Sequence, residues 1–138
     1  MLAAFLAGIL AYTAAAPICR GADISVTDLQ IKVVNGSHRS AVSDRLLITG
    51  VFTNIGTLPQ QPHVAQHAEL VRDGSVVAKQ PLPPLAAGVT HPLYFRIMRK
   101  TSRRTDPLEV LVRYVLDDKH HALRNNCSPS NDSLTKTF

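Results

Sequence analysis

From Asp23 onward the chain is written in short runs whose apolar residues recur at every second position, the period of a strand with one face buried. Ile24, Val26, Leu29, Ile31 and Val33 lead. Their phase slips between Val26 and Leu29, so the pattern predicts a strand over 23–34 with a bulge at Thr27-Asp28. A second strand is predicted over 44–54, with Leu46, Ile48, Gly50 and Phe52 on one side. Runs at 64–72 and 75–79 flank Asp73-Gly74. Asp-Gly between two such runs predicts a hairpin, because both central residues of a type I′ turn take positive φ. Val89, His91, Leu93, Phe95 and Ile97 mark a strand over 89–98. Leu108, Val110, Val112 and Tyr114 mark another over 108–116, and a short one follows over 133–138. Seven short strands with turn signals between them predict an all-β chain folded as a two-sheet sandwich.

The connections carry their own signals. Asn35-Gly36-Ser37 closes the first run. Asn54 and Gly56 sit at the exit of the second, where side-chain-to-backbone bonding and a positive φ are expected. Pro59 and Pro62 keep the next connection extended. Pro81 to Gly88 crosses between strands, with Gly88 as the turn residue. Asn125 and Asn126 are expected to bond the backbone of the last crossing and hold the final strand against its sheet.

The N-terminal stretch differs in kind. Residues 2–11 are apolar and 13–16 are small. An apolar core of about ten residues before an A-x-A-like site predicts a cleavable secretory signal over 1–16, cut after Ala15 or Ala16. It is shorter than the roughly 20 residues a membrane span needs. A buried N-terminal helix is the alternative. With the signal removed, residues 17–138 form one domain, exported to the periplasm or the extracellular space. In that oxidising setting Cys19 and Cys127, the only two cysteines, are expected to pair as a disulfide. Two free thiols are the other possibility.

The chain has no Trp and few aromatics, so the core must rest on Val, Leu and Ile. The formal charge of +5 suits anionic partners without selecting one. No aromatic–basic interleaving of the kind that stacks single-stranded nucleic acid is present. Arg99, Lys100, Arg103 and Arg104 form the densest cluster of charge, a candidate surface for an anionic partner. Lys119, His120, His121 and Arg124 form a second. The two clusters are expected at opposite ends of the sandwich.

Catalytic patterns are not found. There is no G-x-S-x-G elbow and no Gly-rich phosphate loop. His63 and His67 are four apart, but on an extended chain that spacing covers about 13 Å, too far for one metal. Asp117-Asp118 is the only adjacent acidic pair, and too few other acids lie near it in sequence to complete a cation site. No metal or cofactor is expected.

The ordered set of motifs resembles the CARDB-type (cell-adhesion-related, bacterial) domains, immunoglobulin-like modules of surface and secreted proteins. The matching pieces begin with Asp23-Ile24-Ser25-Val26-Thr27-Asp28 and Val51-Phe52-Thr53-Asn54-Ile55-Gly56-Thr57. They continue with Leu70-Val71-Arg72-Asp73-Gly74 and Leu85-Ala86-Ala87-Gly88-Val89-Thr90, and end with Leu116-Asp117-Asp118 and Asn125-Asn126. The chain departs from the family where an acidic segment before the paired Asn is replaced by the basic Lys119 to Arg124. The resemblance implies a seven-stranded immunoglobulin-like β-sandwich with an adhesion or accessory binding role and no shared catalytic residues.

The expected function is therefore an exported, non-catalytic binding module acting through protein or glycan surface contacts. Its partner would be a protein, an acidic glycan or a lipid head group of the cell envelope. The alternative is a structural subunit that joins an envelope or extracellular assembly, or copies of itself, through strand edges.

Overall fold

The computed structural model describes residues 20–36, 42–101, 107–119 and 122–138. The expected signal segment, Cys19, Arg103, Arg104, His120 and His121 lie outside the described residues. Seven strands follow in chain order: β1 (Ile24–Gly36), β2 (Val42–Asn54), β3 (Gln66–Arg72), β4 (Ser75–Pro81), β5 (Thr90–Thr101), β6 (Glu109–Leu116) and β7 (Ser133–Thr137). One helical turn, α1 (Ala122–Asn125), and a 3-10 turn over Pro129–Asn131 occupy the last crossing.

The strands form two antiparallel sheets, ordered β1-β2-β5 and β4-β3-β6-β7. This is the β-sandwich expected from the period-two pattern. Relative to an immunoglobulin constant domain, the fourth strand edges the sheet of its hairpin partner rather than the opposite sheet. The reason is local. Asp73 and Gly74 take φ of 49° and 76°, giving the tight turn that returns β4 directly onto β3. The register of β1 on β2 slips between Val26 and Asp28, the bulge expected there, and again between Val33 and Asn35.

The core lies between the sheets. Ile24, Val26 and Leu29 from β1 meet Leu46, Ile48 and Phe52 from β2 and Leu93 and Phe95 from β5. Ala68, Leu70, Val110, Val112 and Tyr114 face them from the other sheet. Burial of each large apolar side chain contributes about 1.5–3 kcal/mol. Gly50 sits where the sheets approach closely, since a Cβ there would stand 2.9 Å from Val112 Cγ1.

Two expectations are corrected. Val89 precedes its strand and is exposed, so the inward face of β5 starts later than the pattern suggested. Gly56 does not take a positive φ. Glycine is needed there for close approach instead: a Cβ would fall 2.2 Å from the Gly21 carbonyl oxygen and 2.6 Å from the Asp23 nitrogen. Gly88 does take the left-handed conformation, at φ 76°.

Candidate functional site

The outer face of β1-β2-β5 is built by the alternation that buries the inner one. Cross-strand partners place Lys32, Leu47 and Arg96 in one row, and Gln30, Thr49 and Tyr94 in the next. Arg45 pairs with Met98. Tyr94, Met98 and Val34 are each more than half exposed. A hollow of about 460 Å³ borders this region, lined in part by Val34, Arg45, Leu47, Arg96 and Met98. Lys32, Arg45, Arg96 and Lys100 have no anionic partner among the described residues. Asp28 is already engaged: it accepts from Gln30 Nε2 at 2.7 Å and from the Leu29 N–H at 2.8 Å. These bonds to Gln30 and Leu29 hold its carboxyl below the usual range.

The sequence pointed to the cluster Arg99, Lys100, Arg103 and Arg104, of which Arg99 and Lys100 are described. Arg99 belongs to the inward register of β5, following Leu93, Phe95 and Ile97 two residues at a time, and it is buried. Strand β5 runs on to Thr101, so a residue expected in a solvated loop lies on the strand and points inward. Lys100 alternates outward and is exposed. Of the expected cluster, then, Arg99 is buried and Lys100 lies on the outer sheet face, while Arg103 and Arg104 fall outside the described residues.

The outer face of β4-β3-β6-β7 is charged too, but closed. Glu69 sits between Lys79 and Arg113 in the cross-strand ladder. It accepts from Arg113 Nε and from Arg113 Nη2, both at 2.6 Å, and lies 3.7 Å from Lys79 Nζ. His67 bonds Glu69 through Nε2 at 2.9 Å and Asp117 through Nδ1 at 3.0 Å. Burial pulls the His67 pKa down, but the two carboxylates more than offset it, and the net shift is upward. The His67 hydrogen bond, with Arg113, holds Glu69 below its usual range. Both imidazole nitrogens are taken, so His67 offers no lone pair to a metal or substrate in this arrangement. Asp117, one of the adjacent acidic pair, is the half-exposed partner of that ring.

A third feature is a buried polar tie at one end of the sandwich. Asn54, fully buried, uses its whole amide: Oδ1 accepts from the Asp23 and Gly56 N–H groups, and Nδ2 donates to the Leu58 and Leu85 carbonyls, each at 3.0 Å. Gln60 and Gln66 exchange side-chain bonds of 2.7 and 2.9 Å. Tyr114 donates its hydroxyl to Gln66 Oε1 at 2.6 Å. Burial pushes the Tyr114 phenol well above its ordinary value. Asn125 Oδ1 accepts from the Gln61 N–H and Asn126 Oδ1 from the Ile24 N–H. The paired asparagines thus fasten the last crossing to the start of β1 and to the 58–62 connection, rather than fastening β7 to its sheet. Such groups cost about 1–3 kcal/mol each when left unpaired, which is why they are matched.

Beside this tie lie Asp23 and Asp132. Asn131 Nδ2 donates to Asp23 Oδ2 at 3.0 Å, and Asn126 Nδ2 donates to Asp132 Oδ1 at 2.7 Å. Asp23 Oδ1 and Asn131 Oδ1 are buried without a hydrogen-bond partner. Burial pushes the Asp132 carboxyl up to about 6, with the Asp23 charge adding to it. Neither the glutamine tie nor this acidic pair was found from the sequence. Their members stand up to 108 residues apart and follow no spacing motif.

No family model matches the chain, and no curated protein does. Among solved structures, it aligns with the CARDB domain of a protein from Pyrococcus furiosus, solved in complex with a pair of metal ions. The alignment covers 86% of this chain and 93% of that one, at 12% identity and a TM-score of 0.50. The fold is that of a CARDB domain. At this identity the likeness extends to architecture alone, and the surface chemistry must be argued from this chain's own residues. Among the described residues, no helix is long and apolar enough to cross a membrane.

Proposed function

We propose that this chain is an exported, non-catalytic binding module that docks an acidic protein surface on the outer face of β1-β2-β5. The observation that supports the reading is the set of cations Lys32, Arg45, Arg96 and Lys100, without an anionic partner among the described residues, around exposed Tyr94 and Met98. Tyr, Met and Arg are the residues enriched at protein interfaces, and a flat sheet suits a protein partner better than a small ligand. Cations at such a face steer an acidic partner into register. An acidic glycan would share the charge but has less use for Met98, Val34 and Leu47.

Export belongs to the same proposal, with residues 1–16 removed as a signal and a Cys19–Cys127 disulfide formed outside the cytoplasm. The placement of Cys127 supports the bond. Its N–H donates to the Ala22 carbonyl at 3.0 Å, three residues along from Cys19, and no described cysteine is a free thiol. Closing a loop of that length is worth roughly 4–5 kcal/mol in the chain-entropy picture.

Assembly through strand edges is the second reading, and the edges argue against it. Strand β1 is bulged twice, and Lys136 Nζ caps its Leu29 carbonyl at 3.0 Å. Pro92 stands in edge strand β5, β4 ends at Pro81, and β7 has only five residues. Each device discourages strand addition.

The test is capture from envelope extracts by the wild-type protein and by the Arg45→Glu/Arg96→Glu variant. An acidic polypeptide held by the first and lost by the second is the expected result. Equal capture by both, or a protein-free acidic glycan as the bound species, would overturn the proposal.

A further inference from the structure

The junction between the start of β1 and the turn before β7 contains an electrostatic arrangement that its own side chains leave incomplete. Asp23 is 4% exposed, yet no Lys, Arg or His pairs with it or with Asp132 among the described residues. An ionised carboxylate taken out of water is costly unless a positive charge or a full set of donors meets it. Amide donors reach only one oxygen of each: Asn131 holds Asp23 Oδ2, and Asn126 holds Asp132 Oδ1. Asp23 Oδ1 remains buried and bare. So does Asn131 Oδ1, on an amide whose nitrogen is already committed to Asp23. Two carboxylates and two orphaned oxygens, on the hydrogen-bonded pair Asp23 and Asn131 and on the chain neighbour Asp132, ask for a cation.

We propose that Asp23, Asn131 and Asp132 hold a hard divalent cation, Ca²⁺, at this junction. The donors are carboxylate and amide oxygens, the set that Ca²⁺ accepts and that soft metals do not favour. Among the described residues no group of three or more His, Cys, Asp or Glu side chains is arranged to hold a metal ion, so a zinc-type centre has no basis here. Mg²⁺ demands near-octahedral geometry, whereas Ca²⁺ tolerates an irregular set completed by water. A cleft of about 350 Å³ with Lys119, Asn126, Pro129 and Asp132 on its wall reaches the junction at Asp132. The geometry around Asn126 is fixed from the other side by the Ile24 N–H, 3.0 Å from its Oδ1. Bound there, the ion ties the first strand to the last crossing, across 108 residues of chain. This inference is independent of the docking face, which lies on the outer side of β1-β2-β5.

The experiment uses the processed protein, stripped with a chelator and titrated with Ca²⁺ by calorimetry and thermal melting. A dissociation constant of about 10⁻⁴–10⁻³ M, the range of extracellular calcium modules, is expected. At about 10 mM Ca²⁺ the melting temperature rises by roughly 5 °C or more. Asp23→Asn and Asp132→Asn each weaken binding by at least about tenfold, while Asp73→Asn, an equal charge change at the exposed hairpin turn, leaves it intact. If neither site variant folds, slowed hydrogen exchange at 22–24 and 131–133 on adding Ca²⁺ to the wild type is the deciding readout, and unchanged exchange counts against the site. A wild-type response no larger than that to NaCl at matched ionic strength, or an equal response in the variants, would overturn the proposal.

Discussion

Both sheets of this sandwich carry charged residues on their solvent faces, and they dispose of that charge in opposite ways. On β4-β3-β6-β7 the acids and bases are interleaved across strands. Glu69 is covered by Arg113, Lys79 and His67, and Asp117 holds the far side of the imidazole. On β1-β2-β5 the cations Lys32, Arg45, Arg96 and Lys100 stand beside apolar side chains with no anionic partner among the described residues. A face whose charges satisfy one another has little to gain from a partner. A face with such cations beside exposed Tyr94 and Met98 has more.

The contrast can be broken by exchanging charge on each side. Glu69→Ala leaves Arg113 and His67 without their shared anion, and we expect a loss of about 2–3 kcal/mol. Arg96→Glu on the other face should cost under about 0.5 kcal/mol, since it touches solvent and no ion pair. Urea denaturation of the two variants measures both. Similar losses from the two would show that the open face is structural after all.

A smaller effect sharpens the same comparison. The folded His67 pKa is raised, so protonation favours the folded state. Its contribution is fully present below the unfolded histidine value of about 6.5 and is lost as pH rises through the folded one. Stability should fall across that interval, and His67→Gln should flatten the slope. A wild-type profile with no slope between pH 6 and 8.5 would contradict the closed network.

What the sequence revealed follows from how locally each feature is encoded. The hairpin was legible because Asp73-Gly74 places two positive-φ residues side by side. The bulge at Thr27-Asp28 was legible because a slip of one residue changes the phase of Val26 against Leu29. Arg99 was misplaced because nothing in Met98-Arg99-Lys100 shows that the strand continues, yet one further step of alternation turns it inward. The glutamine pair, the Asn54 hub and the Asp23–Asn131 contact join segments far apart in the chain, and side chains of those types occur in any loop. Gly56 was recognised as necessary, but for φ rather than for the nearby Gly21 carbonyl oxygen, which would stand 2.2 Å from any Cβ placed there.

The central claim, that one face is a working surface and the other is not, is tested most directly by backbone amide chemical-shift mapping with an acidic peptide added at low salt. The account predicts shifts confined to the neighbourhood of Lys32, Arg45, Tyr94 and Arg96. Shifts centred on Glu69, Arg113 and His67, or spread evenly over both sheets, would contradict it.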